Sequence, residues 1–243
     1  QTIPGTLFLF NPTGNIAIQV TADYKTYTLT ATAENGTISP ASTTIQMHGF
    51  ATLTVTPSTN YKWNKKFTVD GATGSVTPIG NLLISNPSKN VTVTATCDRI
   101  IYSLSLGGTN VSFAPSPTQI AAGATLAITC YATTGYDKPQ SITVTNCEYD
   151  WKYLTGVLTL YNPTGDVTVT INATPHSYSI TPAIINGTAS GANFIQTGKT
   201  VALTIAANEG YNLPDAVTTT NARGLWNKTT GTLTISNPTA NVI

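Results

Sequence analysis

The stretch GVLTLYNPTGDVTVTINA (156–173) decides the fold, because the chain writes it four times. The other copies are GTLFLFNPTGNIAIQVTA (5–22), GNLLISNPSKNVTVTATC (80–97) and GTLTISNPTANVI (231–243). Their turn asparagines, Asn11, Asn86, Asn162 and Asn237, are spaced 75, 76 and 75 residues apart. In every copy the first strand places an aliphatic residue at alternate positions: Leu7 and Leu9, Leu82 and Ile84, Leu158 and Leu160, Leu233 and Ile235. After the Asn-Pro turn the pattern resumes with Ile16, Ile18 and Val20, with Val91 and Val93, and with Val167, Val169 and Ile171. Alternation with one apolar face is the mark of an antiparallel sheet covering a core on one side. Each copy therefore reads as a hairpin turned by Asn-Pro, with proline supplying a fixed φ.

Two further markers keep the same period. One is Tyr27, Tyr102 and Tyr178, each opening a Tyr-x-Leu/Ile strand; the other is the pair Gly49/Tyr61, Gly123/Tyr136 and Gly198/Tyr211. The strands between them predict five or six short β elements per period, a small sandwich or β-grasp-like unit. With the repeat phased on the tyrosine, the units are 24–97, 98–174 and 175–243. Residues 1–23 are then the closing hairpin of a preceding repeat, and the third unit has an incomplete final strand. The chain begins at Gln1 without a targeting pattern, and the phase is that of a window cut from a longer array. The apolar hairpin positions Leu7, Leu9, Ile16 and Ile18 are candidates for head-to-tail strand addition onto another copy's last unit.

Composition narrows the function. Of 243 residues only 9% are charged, the net charge is +1, and 48 are threonine. Branched side chains favour strands over helices. No basic field exists to gather phosphates, so nucleic acid is not an expected partner. No apolar run is long enough for a helical membrane span, so membrane insertion is not expected.

The order Tyr-x-Ile-Thr, Asn-Gly-Thr, Glu-Gly-Tyr, Trp, Gly-Thr-Leu-Thr-Ile and Asn-Pro-Thr is most complete over 178–239. It resembles the tandem bacterial Ig-like and divergent internalin B-repeat type of surface repeats. That resemblance covers nearly the whole chain and implies three tandem Ig-like β-sandwich domains, extracellular, on a bacterial cell surface or phage virion. It brings no functional residues. Unit 1 departs from it, with Ser75 standing where Trp151 and Trp226 stand.

Little in the sequence carries chemistry. His48 and His176 are far apart and read as solvated loop residues. Glu148 and Asp150 share a face but lack the further oxygens a calcium site needs. Cys97, Cys130 and Cys147 match no zinc spacing, and a Cys130–Cys147 bridge is left open. No catalytic, cofactor-binding or metal-binding residues are therefore expected, and no cofactor. The segment 147–153, if extended, aligns Tyr149, Trp151 and Tyr153 on one face, a candidate stripe for stacking on sugar rings; the plainer reading, and the one preferred, is that Trp151, like Trp226, caps the core while the tyrosines cover an inter-domain seam.

The expectation is a non-enzymatic structural or adhesive repeat of an extended fibre or virion appendage. Its partners would be copies of itself, virion or cell-surface proteins, and glycans. The alternative is a carbohydrate-binding accessory region of a larger secreted hydrolase.

Overall fold

A computed structural model describes residues 5–243. They form strands and no helix, so nothing supplies the helix that a β-grasp unit lays across its sheet. The chain divides into two compact units, residues 1–98 and 99–243.

The first unit contains β1 (Thr26–Glu34), β2 (Gly36–Ser39), β3 (Ser42–Gln46), β4 (Phe50–Pro57), β5 (Tyr61–Asp70), β6 (Thr73–Val76), β7 (Leu82–Ser85) and β8 (Val91–Arg99). Two sheets form, in the orders β3-β1-β8-β5 and β2-β4-β7-β6. Both contribute to one buried cluster, including Leu29, Leu53, Leu82, Ile84, Val91 and Val93. Full burial of each large aliphatic side chain is worth about 1.5–3 kcal/mol. This is a sandwich-like pairing of sheets on a shared core.

The turn at Asn86-Pro87 corrects the hairpin reading. β7 and β8 lie in different sheets, so the segment is a corner that carries the chain across the core. A hairpin would hold both aliphatic sets side by side in one sheet. The corner instead sets Leu82 and Ile84 within the same buried cluster as Val91 and Val93 from the opposite sheet. Asn86 adopts φ 53°, which asparagine tolerates better than most residues, and Asn162 (50°) and Asn237 (51°) repeat it.

The sheets are also not purely antiparallel. β1 runs parallel to β8, with Leu29 opposite Val91 and Ala31 opposite Val93. Thr30 then lies opposite Thr92 and Thr32 opposite Thr94. Thr30, Thr32 and Thr92 are exposed and Thr94 half-buried, and the Thr32 and Thr94 hydroxyls stand 3.5 Å apart.

The second unit begins with β9 (Ile101–Thr109), β10 (Val111–Ala114), β11 (Gln119–Ala121), β12 (Thr125–Ala132), β13 (Tyr136–Asp137), β14 (Thr143–Thr145), β15 (Glu148–Lys152), β16 (Val157–Tyr161) and β17 (Val167–Asn172). Its sheets, β11-β9-β17-β14 and β10-β12-β16-β15, repeat the earlier orders position for position. Here too the corner at Asn162 separates β16 from β17, and β17 runs parallel to β9 with Val167 opposite Leu104. Gly108 lets the pair approach: it has φ 150°, and a Cβ there would stand 1.6 Å from the Ile171 carbonyl oxygen. A separate buried cluster includes Ile128, Leu158, Leu160, Val169 and Ile171.

The remaining strands are β18 (Thr174–Pro175), β19 (Ser177–Ser179), β20 (Gly187–Gly191), β21 (Phe194–Gln196), β22 (Thr200–Ala207), β23 (Arg223–Asn227) and β24 (Thr232–Ser236). β18 pairs with β13. One sheet of the third repeat is complete, β20-β22-β24-β23, but its opposite consists of β19-β21 alone. The place of β8 and β17 is taken only by Val242, in an isolated parallel bridge to Ile180.

Residues 5–23 form no strand, so the expected N-terminal hairpin is not present. Without ladder partners or an opposing sheet, Leu7, Leu9, Ile16 and Ile18 remain 50–64% exposed. Asn11 still has φ 47°, the corner geometry of its three counterparts.

Candidate functional site

The aromatic segment is split by the fold. β15 is an edge strand in which Trp151 lies opposite Leu158 and Tyr149 opposite Leu160. Both leucines are fully buried, so Tyr149 and Trp151 point to the core side of the sheet, because cross-strand partners share a face. Trp151 packs on the buried cluster and donates its indole N–H to the Pro139 carbonyl at 3.2 Å. Trp226 makes the same bond to Pro214 at 3.0 Å. The flat three-ring stripe is thus not formed: Trp151 is the core cap, Tyr149 stands 42% exposed at the sheet edge, and Tyr153 lies beyond the strand's end.

The register also corrects the alignment of the first repeat. Val76 lies opposite Leu82 as Trp151 lies opposite Leu158 and Trp226 opposite Leu233. Val76, not Ser75, is the counterpart of the tryptophans; the β6–β7 connection is one residue shorter.

Tyr153 instead lines an open groove of about 550 Å³ with Lys138, Gln140, Ser141, Asn172 and Thr174. The Lys138 ammonium donates to the Leu154 carbonyl at 2.9 Å, which ties one wall to the other. One aromatic ring among amide, hydroxyl and ammonium groups and the Asp137 carboxylate can stack on and hydrogen-bond a polar ligand. The sequence concealed this site because its parts come from three separate segments.

Asp137 also meets His176, whose Nδ1 stands 2.5 Å from a carboxylate oxygen. The His176 ring packs edge-on against Tyr178 at 4.7 Å between centroids, and its backbone N–H donates to Gly135. His176 is therefore a partnered residue rather than a free loop side chain. His48, at φ 65°, packs edge-on to Tyr24.

Among the described residues no three His, Cys, Asp or Glu side chains gather as a metal site would require. Glu148 and Asp150 are exposed on β15. The three cysteines are free. Burial pushes each thiol up from its ordinary value, aided at Cys97 by Asp98. Cys147 turns its Sγ toward the Tyr161 carbonyl rather than toward Cys130.

The incomplete sheet leaves two connected features in the third repeat. One cavity of about 210 Å³ lies between Pro182–Ile184 and Val217–Thr220, floored by Leu203, Leu233 and Ile235. A neighbouring cavity of about 340 Å³ shares Ile184, Ile205 and Val217. Neither cavity has a marker in the sequence.

No protein-family model matches the chain, and no curated protein matches it in sequence.

Proposed function

We propose that the chain is a non-enzymatic structural and adhesive repeat protein of an extended extracellular fibre, on a bacterial cell surface or phage virion. On this reading, repeats 24–97, 98–174 and 175–243 are tandem β-sandwich modules of the bacterial Ig-like or B-repeat type. The observation that carries it is the recurrence of one plan at a fixed period: aliphatic corner strands inward, threonine outward, and the parallel register Leu29–Val91 repeated as Leu104–Val167. Such a plan invests the sequence in scaffold, with weakly charged surfaces that raise no field to gather charged partners. Its partners would be other copies, neighbouring surface proteins and glycans. Immunogold labelling with antibodies against the chain tests it: label on the outer surface of the cell or particle supports it, and label confined to the cell interior contradicts it.

The Tyr153 groove favours a second reading, a carbohydrate-binding accessory region of a larger secreted hydrolase. A glycan array separates this from a purely structural role. Binding that is lost in Tyr153→Ala favours sugar recognition, whereas no binding by the parent chain removes it.

A further inference from the structure

In each of the first two repeats the strand that enters the unit lies hydrogen-bonded beside the strand that leaves it. β1 opens the first repeat and β8 closes it, and they pair in parallel, Leu29–Glu34 against Val91–Thr96. β9 and β17 do the same in the second, Leu104–Thr109 against Val167–Asn172. This strand order fixes how a repeat meets a load along the chain. Tension draws β1 backwards from Thr26 and β8 forwards from Arg99. Because the strands are parallel, those two points lie at opposite ends of the pair. The strands must slide past each other, and every bond of the ladder is loaded together. An antiparallel pair held at the same end of both strands would instead open one bond at a time.

The pair is also pinned by side chains outside the ladder. At its start, the residue just before the corner strand accepts an N–H of the entering strand: Asn90 from Thr28 at 3.1 Å and Asp166 from Ser103 at 2.9 Å. At its far end Asn172 accepts the Thr109 N–H at 3.0 Å and the Thr109 hydroxyl at 2.9 Å. In the first repeat Asn35 donates its amide to the Cys97 carbonyl there, at 3.3 Å. Between these staples the inner face is dry: Leu29, Val91 and Val93 in one repeat and Val167, Val169 and Ile171 in the other are 1% or less exposed. Water can therefore replace a stretched bond only from the outer face. The outward residues differ, Thr30–Thr92 and Thr32–Thr94 in one repeat against Ser105–Thr168 and Gly107–Thr170 in the other. What recurs is the parallel register and its pins.

We propose that each parallel pair is a mechanical clamp that bears tension along the chain, the load falling in shear on the ladder and on its side-chain staples. A repeat so built resists force along the chain more than force that parts the same strands from one end. The inference goes beyond the surface-repeat reading and fails separately from it: repeats that open easily under load would overturn the clamp and leave the labelling result unaffected.

The test is single-molecule pulling of the full chain at constant force in two directions. Handles at the two chain ends load the pairs in shear. Handles at positions 25 and 89, beside the starts of β1 and β8, part the first pair from one end. At equal force both principal end-to-end steps should be at least about tenfold slower than opening through 25 and 89, forced opening being set by the unfolding rate. Asn90→Ala deletes one staple. It should quicken one of the two end-to-end steps about threefold to tenfold, the worth of one hydrogen bond, and leave the other unchanged. An unchanged step length shows that the variant is folded. Opening at the same rate in both directions, or faster in shear, would overturn the clamp. Two unaltered steps in Asn90→Ala would remove the staples from it.

Discussion

Ile180 and Val242 form a parallel bridge in the register that joins Leu29 to Val91 and Leu104 to Val167. The third repeat thus holds the first pairing of the corner strand in the register of the other two. Amides of Ala183–Ile185, which lie in no strand, should exchange as freely as a loop. Those of Thr30–Glu34, locked to β8, should exchange only through unfolding of the first repeat. Equal protection in the two stretches would mean that the third sheet closes some other way.

Asp166 occupies the position that Asn90 and Asn241 hold in the sister repeats. Its oxygen accepts the Ser103 N–H at 2.9 Å, and this bond holds the carboxyl below its ordinary value. A carboxylate with a lowered folded pKa stabilises above the unfolded value of about 3.9 and loses that contribution as pH falls through the folded one. Asp166→Asn should therefore lower the thermal midpoint slightly at neutral pH, since the amide oxygen keeps the bond but not the charge that strengthens it. It should flatten the fall in midpoint on acidification below about pH 4. Thermal melts across that range check it; an unchanged acid limb would remove Asp166 from the account.

Gly108 is the residue on which the β9–β17 approach depends. Any side chain there meets the Ile171 carbonyl oxygen, 1.6 Å from the position of a Cβ, at a φ of 150° that side chains rarely adopt. Gly108→Ala should cost about 3 kcal/mol or more in chemical denaturation, through strain and separation of the central strand pair. Gly14→Ala, with open space around the added atom, should lie within about 0.5 kcal/mol of the parent. Similar values for the two would contradict the parallel pairing at Gly108.

The inward phase of Leu82, Ile84, Val91 and Val93 was readable from alternation alone, and all four are buried. What alternation cannot tell is which sheet a strand joins. An inward-facing set has the same period whether its partner lies beside it or across the core, so the corner at Asn86 looked like a hairpin. The parallel pairing of β1 with β8 is hidden for the same reason, since its partners are 62 residues apart. The register of Val76 escaped notice because a one-residue shorter connection shifts it against the period. At the candidate site, Tyr153 stands in the aromatic pattern of 149–153, but Lys138, Gln140 and Asn172 come from other segments and have no motif to mark them.

In the first two periods two sheets share one core, and the strand after the asparagine corner lies at the centre of one of them. Pulling the single chain from its two ends measures this most directly. The account predicts two principal unfolding steps, each releasing about 25 nm, the extended length of one period, and a third repeat yielding at lower force. A single step releasing the whole chain, or steps unrelated to the period, would contradict it.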